Sequence, residues 1–68
     1  MGTHWVGPHG IDVEAIVLDD RDRLRVRKYR AVVGYARDLD QLTRMLELYG
    51  VGVEELVEID DAGEDHPG

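Results

Sequence analysis

Six of the chain's eight basic residues fall within ten positions, "RDRLRVRKYR" (21–30): Arg21, Arg23, Arg25, Arg27, Lys28 and Arg30. Guanidinium groups at this density suit phosphate or carboxylate, because the planar fork of Arg donates two parallel hydrogen bonds to either. Tyr29 lies inside the run and Tyr35 just beyond it. A sheet face bearing arginines and aromatic rings is how several RNA-binding modules stack bases and hold backbone. Against that use, Asp19, Asp20 and Asp22 flank or interrupt the run, and the whole chain carries a net charge of −7. A negative domain is repelled by the phosphates that dominate nucleic-acid affinity. The same arginines fit an acidic neighbour equally well: Glu14 across a hairpin, a partner protein, or a second copy of the chain. Arginine and tyrosine are both enriched in protein interfaces.

Other residue types point to less chemistry. There is no serine or cysteine, so Thr3 and Thr43 are the only alcohol side chains, and Thr43 has no histidine near it in sequence to act as its base. Carboxylates occur in pairs at Asp19-Asp20, Glu54-Glu55 and Asp60-Asp61. Acid–base work needs a desolvated cleft to shift their pKa values, which a domain this small hardly builds. His4, His9 and His66 lie toward the ends. With Met1 removed, the amine of Gly2, the following amides and the His4 imidazole make a square-planar donor set for Cu(II) or Ni(II). The acidic "DDRD" (19–22) lacks the spaced acids, glycine and closing glutamate of a calcium loop.

Sixty-eight residues make one small domain. Such chains bury only about 60% of their unfolded surface and are usually stabilised by disulfides, metals or association. With no cysteine, disulfides and thiolate metal sites are excluded, which leaves association as the economical remedy. The opening "MGTHWVGPHG" has no apolar stretch and no basic flank, unlike a secretory signal, and Val6 stands where a myristoylation motif has a hydroxyl. The longest apolar run, "AIVL", is far too short to cross a bilayer. A cytoplasmic protein is the expectation.

The elements that carry these residues follow from periodicity. "VEAIVL" (13–18) reads as a strand, with a turn in the aspartates after it. "RLRVRK" (23–28) alternates with period two, placing Arg23, Arg25 and Arg27 on one face and Leu24 and Val26 on the other. A two-residue turn before it sets Val13, Ala15 and Val17 on the Leu24 face; a three-residue loop sets Ile16 and Leu18 there instead. "AVVGYAR" (31–37) is a third strand. With Tyr29-Arg30 as the turn, Val26 falls opposite Val33 and Leu24 opposite Tyr35, although tight turns prefer glycine. In "DLDQLTRMLELYG" (38–50), Asp38 caps a helix and Gln41 stands at the capping-box position. Leu39, Leu42, Met45, Leu46 and Tyr49 form one apolar stripe, and Gly50 ends it. "VEELVEI" (53–59) fits either helical turns or a strand end, and a short helical turn with an extended exit is the preferred reading.

Two resemblances attach to these motifs. With Leu24-Arg25-Val26 leading into Val33-Gly34-Tyr35 and then a capped helix, residues 14–46 resemble small uncharacterised acidic proteins of actinobacteria, a group that implies no assigned activity. The group often has His-Gly near the hairpin turn, where this chain has Tyr29-Arg30. "DLDQLTRMLELYGVGVEELVE" is similar to the last helix and tail of repressor-like helix-turn-helix domains, but the four preceding helices of that fold have no counterpart here.

These readings predict an α+β fold: a three-stranded antiparallel β-meander with one amphipathic helix packed on one face, then a short C-terminal helical turn. Residues 1–11 form a flexible arm with Trp5 available to pack on the domain, residues 12–59 the single domain, and residues 60–68 an acidic disordered tail. The expected role is non-enzymatic: a protein–protein interaction or regulatory module acting as a homodimer. The candidate partner-binding residues are Arg23, Arg25, Arg27, Tyr29, Arg30 and Val32. No catalytic residue, cofactor, resident metal, membrane contact or small-molecule substrate is expected. The alternative is a nucleic-acid-binding accessory or transcription regulator that uses the Arg23–Arg30 strand.

Overall fold

Two tight corners organise the chain, and neither contains glycine. Asp19 and Asp20 have φ of 56° and 66°, and Tyr29 and Arg30 have φ of 51° and 73°. Positive φ at both central positions is the condition of the two-residue hairpin turn whose twist matches that of the flanking strands. Aspartate tolerates this conformation; tyrosine and arginine adopt it at a cost of about 1–2 kcal/mol each. Part of that cost is offset at Tyr29, whose ring lies over Gly10 and whose backbone N–H donates to the Gly10 carbonyl at 2.9 Å.

The computed structural model describes residues 3–59. Their order is β1 (His4–Val6), β2 (Ile11–Leu18), β3 (Arg21–Lys28), β4 (Ala31–Ala36), α1 (Leu39–Glu47), a 3₁₀ turn (Val53–Glu55) and β5 (Val57–Ile59). The strands form one antiparallel sheet in the order β4-β3-β2-β1-β5. The α+β class and the single helix match the expectation from sequence, but the sheet has five strands where the sequence suggested three. The two additional strands are three residues long, too short to display a period of two. Both lie outside the central meander and pair with each other, His4 opposite Ile59 and Val6 opposite Val57. The segment read as an arm therefore holds an edge-to-centre strand, and its Gly-Pro-His-Gly stretch is the loop of a further hairpin, closed by Gly7 N–H donating to the Ile11 carbonyl at 2.9 Å. Trp5, opposite Val13, packs against the core. The acidic tail read over residues 60–68 lies outside the described residues.

The first hairpin takes the two-residue register, Val13 opposite Val26 and Ala15 opposite Leu24. The second also takes a two-residue turn but slips one residue further on. Arg27 faces Val32 while Val26 faces Gly34, so Val33 is an extra residue and Leu24 lies opposite Ala36 rather than Tyr35. Such a bulge turns every later side chain of β4 to the opposite face. Packing explains the choice. The inner positions of β4 become Gly34 and Ala36, and Ala36 is fully buried. A Cβ on Gly34 would meet the Met45 methyl at 2.7 Å. Small residues let α1 lie close to the sheet, whereas Val33 and Tyr35 in those positions would hold it away.

Helix α1 begins at Asp38, whose Oδ1 accepts the Gln41 N–H at 2.8 Å. Gln41 Oε1 in turn accepts the Arg37 N–H at 2.8 Å, one residue earlier than the reciprocal bond of a capping box. At the other end Gly50 has φ of 73°, with Gly50 N–H donating to the Glu47 carbonyl and Val51 N–H to the Leu46 carbonyl. This is the paired termination that a left-handed glycine permits. It returns Val51 to the core formed by Ile11, Val13, Val26, Ala36, Leu42 and Leu46. All of this core lies between α1 and one face of the sheet.

Relief of the strained second corner gives a direct check. Arg30→Gly removes the left-handed penalty at φ 73°, partly offset by a more flexible unfolded chain, and should stabilise the fold by about 0.5–1 kcal/mol. Urea unfolding reads the change; a loss of stability would mean that the Arg30 side chain, not the turn geometry, matters at this corner.

Candidate functional site

The face of the sheet opposite α1 carries no covering element among the described residues. Alternation from the buried positions Ile11, Val13 and Val26 assigns its occupants. Two cross-strand rows run over it. The first is Val57, Val6, Asp12, Arg27, Val32, and the second is Ile59, His4, Glu14, Arg25, Tyr35. Each reads, from β5 to β4, as an apolar residue, a valine or histidine, an acid, an arginine, and an apolar or aromatic residue. Further along the β2–β3 ladder come Ile16 opposite Arg23 and Leu18 opposite Arg21.

The centre of this face is an ion-pair ladder. Arg27 donates from Nη2 to Asp12 Oδ2 at 2.6 Å and from Nε to Oδ1 at 3.2 Å, a two-pronged contact. His4 Nε2 lies 2.9 Å from the same Oδ2. Arg25 donates from Nη2 to Glu14 Oε1, while its Nε is buried without an acceptor among the described residues. All four ladder side chains are partly buried. Around them the apolar members Val6, Val32, Tyr35, Val57 and Ile59 are between 37% and 62% exposed. Direct cross-strand pairs of opposite charge stabilise a sheet modestly, by about 0.2–1 kcal/mol each.

The pairing shifts the ionisation of its members. Burial works to raise the Asp12 carboxyl, but hydrogen bonds from Arg27 and His4, and their charges, outweigh it and hold the group below its ordinary range. The hydrogen bond from Arg25 lowers Glu14; burial opposes it, and the charges of Arg25, Arg27 and His4 add to the lowering. The bond to Asp12 raises the already high pKa of Arg27.

The six residues singled out in the sequence divide. Arg23, Arg25, Arg27 and Val32 share the open face, with Arg23 turned back to donate to the Asp22 carbonyl at 2.8 Å. Tyr29 and Arg30 instead form the β3–β4 corner, away from the ladder. There the Lys28 ammonium lies 5.8 Å from the Tyr29 ring centroid and 5.2 Å from that of Tyr49. The sequence reading anticipated Glu14 as a partner for the arginines. It did not find Asp12, although "IDVEA" (11–15) extends the same alternation two residues earlier. Nor did it find Val6, Tyr35, Val57 and Ile59, which join the face through two three-residue strands and a bulge.

Elsewhere the surface offers shallower chemistry. A 430 Å³ groove along the β2–β3 hairpin is lined by Ala15, Ile16, Asp22, Arg23, Leu24 and Arg37, with one carboxylate and no imidazole. A smaller apolar hollow of 180 Å³ lies between Trp5, Leu24 and the helix residues Leu39 and Leu42. Among the described residues, no three His, Cys, Asp or Glu side chains stand together as a metal site. Of the amino-terminal donor set, Gly2 lies outside the described residues, and the His4 ring is engaged with Asp12. No helix among the described residues is long and apolar enough to cross a membrane. Comparison with protein-family models, curated proteins and solved structures finds no match to this chain.

The ladder predicts an acid response. Asp12 and Glu14 bind protons more weakly in the folded than in the unfolded chain, so their contribution is complete above the ordinary values of 3.8 and 4.5. It is lost as the pH falls through the lower folded values. Unfolding free energy should therefore decline from about pH 5 downward, and the decline should flatten in Asp12→Asn with Glu14→Gln. An unchanged slope in that variant would place the acid sensitivity elsewhere.

Proposed function

We propose that the chain is a non-catalytic interaction module that acts as a homodimer, with the open face of the sheet as its contact surface. The observation that carries this reading is the uncovered face itself. Five partly exposed apolar side chains flank a charge ladder whose acids and bases cancel, two of each. The chain as a whole is acidic, with a net charge of −7, so the charge-balanced ladder is where two like-charged copies repel least. A sheet this small, with seven buried core residues among those described and no cysteine, also gains from a second layer.

The nucleic-acid alternative loses support from the same geometry. Arg25 and Arg27 are already paired to carboxylates within the chain, and a phosphate would have to displace those partners. Tyr29 stands at a corner rather than on the arginine face, which leaves Tyr35 as the one ring beside them among the described residues.

Light scattering should give a dimer mass at micromolar concentration, and Tyr35→Glu should shift the protein to monomer while its far-ultraviolet circular dichroism is retained. A monomer mass for the unmodified protein across dilution overturns the homodimer. Binding to single-stranded DNA or RNA that falls steeply with added salt would restore the nucleic-acid reading instead.

A further inference from the structure

Over the Asp12–Arg27 and Glu14–Arg25 pairs the open face is antisymmetric in charge, and at Val6 and Val32 it is apolar on both sides, which fixes how a second copy would meet it. The line midway between β2 and β3 separates the acids Asp12 and Glu14 from the arginines Arg27 and Arg25. Val6 lies one and a half strand spacings to one side of this line and Val32 the same distance to the other. We infer that two copies pack these faces together about a two-fold axis that runs along that line, parallel to the strands. This rests on the homodimer proposed above and specifies its arrangement.

Rotation about that axis turns the second sheet over, keeps each row at its own height, and exchanges the two sides. Asp12 of one copy then faces Arg27 of the other, and Glu14 faces Arg25. Each in-chain pair becomes one side of a square of alternating charge, and the buried Nε of Arg25 gains a carboxylate as neighbour. Val6 faces Val32 of the second copy, apolar against apolar. The competing in-plane axis, perpendicular to the strands, sets β2 over β2 and β3 over β3. It brings acid to acid and arginine to arginine, which costs several kcal/mol when such groups are juxtaposed in an interface. Only the first axis makes the face self-complementary, as a two-fold contact requires.

The dimensions are those of a small contact. Five strands spaced about 4.8 Å apart make a face roughly 24 Å wide. The axis between β2 and β3 overlaps β1 to β4 and leaves β5 beyond the contact, so with about 20 Å of strand length about 400 Å² per copy is covered, the scale of a small, transient contact. Facing sheets stand about 10 Å apart, close enough for opposed side chains to interdigitate.

The absence of native cysteine permits a clean test. Within one chain Val6 and Val32 lie three strands apart in the same row, about 14 Å, beyond the ~7 Å that a disulfide can span. Both are partly exposed and accept cysteine with little disturbance. Across facing sheets the two Cα atoms stand about 10 Å apart, so a short bifunctional thiol reagent rather than a direct disulfide joins them: Val6→Cys and Val32→Cys chains, each treated alone, should remain uncross-linked, whereas an equimolar mixture should yield a cross-linked heterodimer. If the unmodified protein is dimeric but Val6→Cys cross-links to itself, or the mixture yields no cross-link, the axis is wrong and the homodimer stands. If the unmodified protein is monomeric at every concentration, both fall.

Discussion

The eight-residue ladder between β2 and β3 is the interaction on which the rest of the molecule depends. Its inner side supplies Val13 and Val26, two of the most buried side chains, and its outer side supplies both ion pairs. The glycine-free turn at Asp19-Asp20 sets its register, and a one-residue change there would exchange the two sides. The core would then present acids and arginines to α1. Every other element attaches to this hairpin: β1 along one edge, β4 along the other, and α1 across the inner face.

Attachment at the two edges follows different rules. On the β4 side the constraint is steric. Gly34 and Ala36 admit the helix, and the bulge at Val33 brings them inward. Tyr35 is displaced to the open face as a consequence, so an aromatic side chain beside Arg25 results from helix packing rather than from any need of the outer surface. On the β1 side the constraint is chain return. The Gly50 termination directs Val51 into the core, and the following segment reaches β1 as a three-residue strand. Val57 and Ile59 are thereby added to the same open face.

A consequence for function is that charge on this surface is mostly internal. The basic run that dominates the sequence spends Arg25 and Arg27 on neighbouring carboxylates, Arg23 on a backbone carbonyl and Lys28 on aromatic rings. What remains available is shape, a balanced charge pattern and apolar margins. Those properties favour a protein surface over a polyanion.

The sequence by itself determined the elements whose signals are local and repeated. The period-two run from Arg23 to Lys28, the capped amphipathic helix with its terminal Gly50, and the short turn with extended exit after Gly52 were all legible, as was the sharing of one face by Arg25, Arg27 and Val32. The strand count was not, because three residues cannot show a period and β1 and β5 gain their conformation from each other and from β2. Nor was the placement of Tyr35 and Tyr29, since a bulge and a left-handed corner are decided by what packs against them. Tertiary structure alone thus decided that the centre of the arginine face is a charge-balanced ladder margined by hydrophobes: its acids, arginines and valines come from five strands far apart in sequence, brought into line by hydrogen-bonded register.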